Sequence, residues 1–198
     1  MDICFFGGTF NPVHNGHINL LKTAEEKFSF DKIIVIPTKI PPHKNVVFSV
    51  TDGDRLNMCN LAFSGLAEVS DYEITQNTVS YTINTMSYFK QIYPEDKFYF
   101  LMGSDMLLTF ERWREYKRLL SLTAIIAASR EEDEFEVLCR KKAELECDGG
   151  EIHIIEAEPY IISSSKIRNM IKSGDKDFSC YLPERVVQYI LRKKLYME

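Results

Sequence analysis

The sequence predicts an α/β fold, a mainly parallel and twisted sheet flanked by helices, formed as one domain over residues 1–198. Three observations carry this. Short apolar runs rich in β-branched and aromatic residues alternate with longer segments of helical period, the pattern of strand, crossover and parallel strand. No internal repeat, low-complexity tract or Pro/Gly-rich linker divides the chain. At 198 residues it is long enough to bury a core without disulfides or a structural metal.

In chain order, Ile3–Phe6 reads as the first strand, and Gly16–Lys27 takes up a helical period after a glycine-bearing turn. Lys32–Ile36 is the second strand, followed by a helix over Asp52–Phe63 and a short strand over Ala67–Ser70. A helix over Thr82–Ile92 leads to a strand over Phe98–Met102, then a helix over Trp113–Leu120 and a strand over Ala124–Ala128. Asp133–Cys147 sets Phe135, Leu138, Ala143 and Leu145 among Glu and Lys, as an outer helix with a solvated face does. Ile152–Ile155 is the last strand, and helices over Ser164–Ile171 and Pro183–Lys194 close a Rossmann-like arrangement. Three loops follow strand ends: Gly7–Asn15, Pro37–Val50 and the one from Gly103 onward. Ligands of open α/β sheets bind beyond the carboxyl ends of the strands, so these loops and the start of the Ser164 helix should open on one side.

Twenty-four Lys and Arg against 29 Asp and Glu leave a net charge of −5, which argues against nucleic acid as a partner and leaves room only for a local basic pocket. The five cysteines are an odd number, widely scattered and without zinc or redox spacing, and read as reduced, mostly buried thiols. The start of the chain shows no basic n-region, and no apolar stretch is long enough for a bilayer. A soluble cytoplasmic protein is expected, with no membrane partner and with self-association into a homo-oligomer left open.

The stretch "FFGGTFNPVHNGHINL" concentrates the chemistry. Gly7 and Gly8 let the backbone turn tightly and approach a ligand with no Cβ in the way. The helix beyond points unpaired N–H groups and the positive end of its dipole into that turn, which suits a phosphate. His14-Asn15-Gly16-His17 places one imidazole in the loop and one in the first helical turn, where both could reach one oxygen cluster as neutral or cationic donors. Two surface histidines beside a turn is the plainer reading, and the strand, the glycines and the helix in sequence weigh against it.

"GGTFNPVHNGH" resembles the signature of the nucleotidyltransferase superfamily built around H-x-G-H. The rest of the chain resembles its bacterial nicotinate-nucleotide adenylyltransferases, through "IPTKIPPHK", "DRLNM", "SYTINT", "LMGSDMLLTFERW", "ISSSKIR" and "YLPERVVQYI". Departures are Asn11 and Asn84, where aspartates are usual, and Arg114, where an aromatic is frequent. The resemblance implies transfer of AMP from ATP to nicotinate mononucleotide, giving nicotinate adenine dinucleotide and pyrophosphate. A mononucleotide phosphate is already an anionic nucleophile, so alignment and charge stabilisation suffice.

On this resemblance His14 and His17 are catalytic, and Gly7, Gly8, Thr9 and Phe10 hold ATP together with Lys44, Ser163, Ser164, Ser165 and Arg168. Thr82, Thr85, Gly103, Asp105, Trp113 and Arg114 take the pyridine nucleotide, Thr82 and Thr85 through backbone donors at a helix start. Read alone, the serines and Asp105 are ordinary helix caps, and a single tryptophan is most often core. Trp113 sits among Glu111, Arg112, Arg114 and Glu115, a setting that favours an edge position. Arg55 reads as packing or a surface ion pair. No carboxylate cluster marks a fixed metal site, and Mg2+ is expected to arrive with ATP. The rival readings are a related enzyme acting on nicotinamide mononucleotide or another phosphate acceptor, and a nucleotide-binding sensor without turnover.

Overall fold

Residues along each central strand alternate between two cores. Ile3, Phe5, Ile34, Ile36, Phe98 and Phe100 face one, while Cys4, Phe6, Ile33, Val35, Tyr99 and Leu101 face the other. Burial on both faces is what makes these strands apolar almost throughout. The computed structural model describes residues 1–39, 50–129, 132–157 and 162–197, with the backbone alone at 132 and 133. Its strands are β1 (Asp2–Gly8), β2 (Lys32–Pro37), β3 (Glu68–Val69), β4 (Lys97–Gly103), β5 (Ala124–Ser129) and β6 (Ile152–Glu156). They form one sheet in the order β3-β2-β1-β4-β5-β6, every pair parallel. The expected strands are all present, within two residues at either end.

The helices are α1 (Asn15–Lys27), α2 (Asp52–Ala62), α3 (Tyr72–Thr75), α4 (Thr82–Ile92), α5 (Ser104–Leu107), α6 (Tyr116–Leu122), α7 (Glu132–Cys147), α8 (Ser164–Ser173) and α9 (Glu184–Lys193), with 3-10 turns at Phe110–Arg112 and Lys176–Tyr181. Helices α1, α2, α8 and α9 bury their apolar stripes on one face of the sheet, and α4, α6 and α7 on the other. At the start of α2, the Thr51 hydroxyl accepts from the Asp54 N–H at 3.1 Å while the Asp54 carboxylate accepts from Thr51, a reciprocal cap that fixes the boundary where the sequence put it.

Two expectations need correction. The helix expected from Trp113 begins only at Tyr116, because Glu115 has φ 53°, a left-handed conformation that an α-helix cannot pass through. Trp113 instead closes the Phe110–Arg112 turn. Cys4 and Cys59 are buried, but Cys139, Cys147 and Cys180 are exposed, so most of the thiols face solvent. Among the described residues no helix is long and apolar enough to cross a membrane.

Strand β1 has β2 on one side and β4 on the other, so the order of connections reverses there and a crevice opens over the strands' carboxyl ends. Gly8 ends β1 and Phe10 follows with φ 46°, turning its ring back into the core at 1% exposure. A Cβ on Gly8 would come within 2.8 Å of the Phe10 ring. The residue is therefore glycine for an internal reason as well as for ligand approach. Gly8→Ala is expected to destabilise the fold by about 1–3 kcal/mol, the usual effect of overpacking, read as a lower urea midpoint at unchanged m-value. An unshifted midpoint would mean that the ring can move aside.

Candidate active site

A cavity of about 450 Å3 lies over the crevice, a size suited to a small-molecule ligand. Gly7, Gly8 and Thr9 at the end of β1, Thr38 after β2 and Gly103 at the end of β4 form its floor, so three strand ends do open on one side as the topology requires. His17, Thr82, Asp105, Trp113 and Arg114 also line it.

His14 is the N-cap of α1 in extended backbone, φ −143° and ψ 169°, and His17 lies in the first turn. The His17 Nδ1 accepts the His14 N–H at 3.1 Å. While that bond lasts Nδ1 carries no proton, so His17 acts as the neutral tautomer with its N–H on Nε2. This narrows the expectation of a neutral or cationic donor to the neutral one. His14 departs further from expectation. Its ring lies against that of His17, tilted by 33° with centroids 3.7 Å apart, it is only 7% exposed, and it is not part of the cavity wall. Phe10 likewise contributes no side chain to the cavity, its ring being packed against Phe6, Phe63 and His17.

The loop between β1 and α1 is fastened through its carbonyl oxygens. Arg55 donates from Nη1 to the Thr9 carbonyl at 2.7 Å and from Nη2 to Asp52 at 2.6 Å. Arg168 donates from Nη1 to the Asn11 carbonyl at 2.7 Å and from Nη2 to the Ser165 hydroxyl at 3.0 Å. Ser164 donates to the Pro12 carbonyl at 2.9 Å, and Tyr196 to the Asn11 side-chain oxygen at 2.7 Å. Asn11 is 4% exposed, and a neutral amide offers Tyr196 its acceptor without the cost of burying a carboxylate. Ser163 caps α8 by accepting the Lys166 N–H. Ser164 and Arg168 thus bond the loop, Ser165 bonds Arg168 and Ser163 caps the helix, and none of the four lines the cavity, while Lys44 lies outside the described residues. Of the two readings of Arg55, packing holds and a surface position does not, for its side chain is wholly buried, pairs with Asp52 and reaches across to the loop.

On the pyridine side, Trp113 is half-buried at the edge of the core. Its ring meets Phe100 edge-on at 5.9 Å and Phe110 at 5.2 Å. The Arg114 guanidinium lies 4.9 Å from the centre of the Tyr81 ring. Thr82 opens α4, but Thr85 corrects the expectation of a backbone donor, because its N–H bonds to the Tyr81 carbonyl at 3.4 Å within the helix. Its hydroxyl donates to Glu73 Oε1 at 2.7 Å. Burial pushes the Glu73 carboxyl above the usual glutamate range, against the opposing pull of the Thr85, Ser80 and Thr38 hydroxyls. Glu73, Ser80, Tyr81 and Arg112 line the cavity and were missed in the sequence, although "SYTINT" contains Ser80 and Tyr81. Among the described residues no group of three or more His, Cys, Asp or Glu side chains is placed to hold a metal ion.

Residues 5–170 match the cytidylyltransferase-like family model. A Clostridium botulinum protein named "Probable nicotinate-nucleotide adenylyltransferase" is 38% identical over 194 residues, 96% of each chain. A Desulfitobacterium hafniense protein of the same name is 36% identical over 197 residues, covering 98% of this chain and 95% of its own. The fold is also that of a Plasmodium falciparum nicotinic acid mononucleotide adenylyltransferase solved in complex with NaAD, with TM-score 0.77, 20% identity and coverage of 98% of this chain and 97% of that one.

The buried guanidinium can be tested directly. A partly exposed ion pair such as Arg55–Asp52 alone would carry about 0–1 kcal/mol. Arg55→Met also strands the Thr9 carbonyl, so a loss of about 2–3 kcal/mol is expected in denaturant unfolding. A loss under 1 kcal/mol would return Arg55 to the role of a surface pair.

Proposed function

The chain belongs to the cytidylyltransferase-like family, in its nicotinate-nucleotide adenylyltransferase branch, and on that premise we propose that it transfers AMP from MgATP to nicotinate mononucleotide, giving nicotinate adenine dinucleotide and pyrophosphate. The observation that carries this reading is the crevice between β1 and β4. It brings a helix N-terminus, the His17 imidazole and an aromatic wall at Tyr81 and Trp113 around one cavity.

The acceptor's phosphate oxygen attacks the α-phosphorus of ATP, and the bond from that phosphorus to the bridging oxygen breaks, releasing pyrophosphate. The nucleophile is anionic from the start, so no residue need take its proton. His17 donates from Nε2 to a non-bridging α-phosphate oxygen, where charge gathers in the transition state. The Gly7–Thr9 backbone and the first N–H groups of α1 hold the same phosphate, and His14 supports the His17 ring from behind. Ser163, Ser164 and Ser165 at the start of α8, with Arg168, take the departing pyrophosphate. Arg168 spends only two of its five N–H donors on the loop and Ser165. Lys44, outside the described residues, is the further cation that the family pattern assigns to ATP, and magnesium would arrive with the nucleotide and supply charge neutralisation there.

For the acceptor, the pyridine ring lies against Trp113, with Tyr81 held nearby under Arg114. Asp105 and the Gly103 backbone face its ribose, and Thr82 at the α4 N-terminus favours its negative charge. We read the chain as one cytoplasmic domain.

Pyrophosphate release from MgATP with nicotinate or nicotinamide mononucleotide, assayed in parallel, tests reaction and substrate together. A higher kcat/KM with the acid is expected. Equal or reversed preference would remove the nicotinate assignment and leave the transfer chemistry, while no release from either would leave a nucleotide sensor.

His17→Ala is expected to lower kcat by on the order of a hundredfold, as loss of one preorganised donor does. ATP affinity should weaken less and the melting temperature should hold, because backbone donors and Arg168 remain. Early melting with normal turnover per folded molecule would make His17 scaffold.

A further inference from the structure

Beyond α9 the backbone is bent twice through a strained conformation. Lys194 and Tyr196 both lie in the left-handed region, with φ 53° and 64°, which side chains of their kind seldom adopt. Lys194 ends the helix there, and the Leu195 N–H returns to the Ile190 carbonyl at 3.0 Å. The second bend turns the Tyr196 ring inward to 6% exposure, in the core that α2, α8 and α9 share. Strain of this kind persists where the surroundings hold it, and it concentrates at functional sites.

The ring alone does not account for the residue. Phenylalanine has the same outline and would fill the same space, whereas the Tyr196 hydroxyl donates to the side-chain oxygen of Asn11 at 2.7 Å, a bond buried at both ends. Burial pushes the phenol's pKa up, against the pull of the nearby Arg168 and Arg55 guanidiniums, so the group stays a neutral donor. Asn11 is also the residue whose carbonyl takes the Arg168 Nη1 donor at 2.7 Å. One residue of the β1–α1 loop is therefore held twice, its backbone by α8 and its side chain by the segment after α9. Beside it the Pro12 carbonyl accepts from Ser164, at the start of α8, at 2.9 Å.

We propose that Tyr196 is a positioning residue for the nucleotide: by fixing the side chain of Asn11 it fixes the carbonyl on which Arg168 rests, and so aims the remaining N–H donors of Arg168 at the outer phosphates of ATP. This rests on MgATP being the donor substrate and on Arg168 taking its pyrophosphate. With its side chain released, the Asn11 peptide is free to turn its carbonyl away from Arg168. The guanidinium then keeps only the Ser165 hydroxyl, on its own helix, and swings with it. A planar fork binds a phosphate well when its plane is set beforehand, and ordering it on binding costs affinity. The effect belongs to one side of the sheet. Tyr196 packs in the core beneath α8 and α9, while Tyr81 and Trp113 pack against the opposite core, so the acceptor's ring is remote from the change.

The test compares Tyr196→Phe, which keeps the ring and removes the bond, with the unaltered protein. It measures kcat, KM for MgATP and KM for the mononucleotide, with calorimetric binding of inorganic pyrophosphate and melting temperatures on the same preparations. KM for MgATP and Kd for pyrophosphate should each rise about tenfold, within the range that small misplacements of binding groups produce. Because Arg168 holds these phosphates before and during transfer alike, kcat and KM for the mononucleotide should change by less than about twofold. Asn11→Ala removes the acceptor instead of the donor and should raise KM for MgATP to the same extent. Combining the two changes should add less than about twofold to either alone, since both remove one interaction. If Tyr196→Phe does not fold, Asn11→Ala decides.

A Tyr196→Phe protein that melts lower yet keeps both KM values and its pyrophosphate affinity would make the bond a structural support alone. An equal rise in KM for MgATP and for the mononucleotide would mean a general loosening rather than a loss of aim at the phosphates. Either result overturns the role while product formation stands. No product from MgATP with either mononucleotide in the unaltered protein would overturn the reaction, and this role with it.

Discussion

A tight loop at a strand end must dispose of its carbonyl oxygens, and between β1 and α1 that is done by two arginines from distant helices. Arg55 on α2 takes the Thr9 carbonyl and Arg168 on α8 takes that of Asn11. Bonds to a charged donor are roughly twice as strong as neutral ones. Each therefore fixes the plane of a peptide as well as its position, and with it the direction in which the neighbouring amides point. The imidazole of His17 is fixed the same way, its tautomer set by one backbone N–H. The direction of the loop's main-chain groups is thus held by side chains from outside it.

The sheet makes this arrangement possible. An all-parallel sheet places every carboxyl end at one edge, so the turn after β1, the segment after β2 and the glycine ending β4 converge without long loops. The helices on one face then start or end beside the turn, which is how α2 and α8 come within reach of it. On the other face α4 and the Phe110–Arg112 turn bring Tyr81 and Trp113 to the same cavity.

The strands were legible because burial on both faces leaves them little freedom in composition; KIIVI and FYFLM admit few other readings. Long helices were legible by period. The failures share a cause as well. α3 and α5 span four residues each, too few for any period, and both carry cavity residues. Tryptophan in a charged stretch told its edge position correctly, but the helix drawn through it ignored a left-handed Glu115 that no local pattern announces. The bond from Arg55 to the loop and the place of Glu73 in the cavity wall leave no local signal, because each depends on partners elsewhere in the chain: Thr9 is 46 positions from Arg55. The H-x-G-H pair was legible as chemistry, but not the division of labour between its members. Which imidazole faces the cavity is decided by a backbone bond and by contact between the two rings, neither of which leaves a trace in residue order.

The hydroxyl of Tyr196 closes the turn by bonding Asn11, 185 positions earlier. A ribosome adding about 5–20 residues per second takes roughly 10–40 s to cover that distance. Through that interval β1 and its turn exist without their last tether, and for most of it without Arg168 either. A nascent chain would therefore be able to form strands and helices long before it could hold a nucleotide. Competence for ligand therefore waits on Arg168 and then on Tyr196, each made well after the turn they hold.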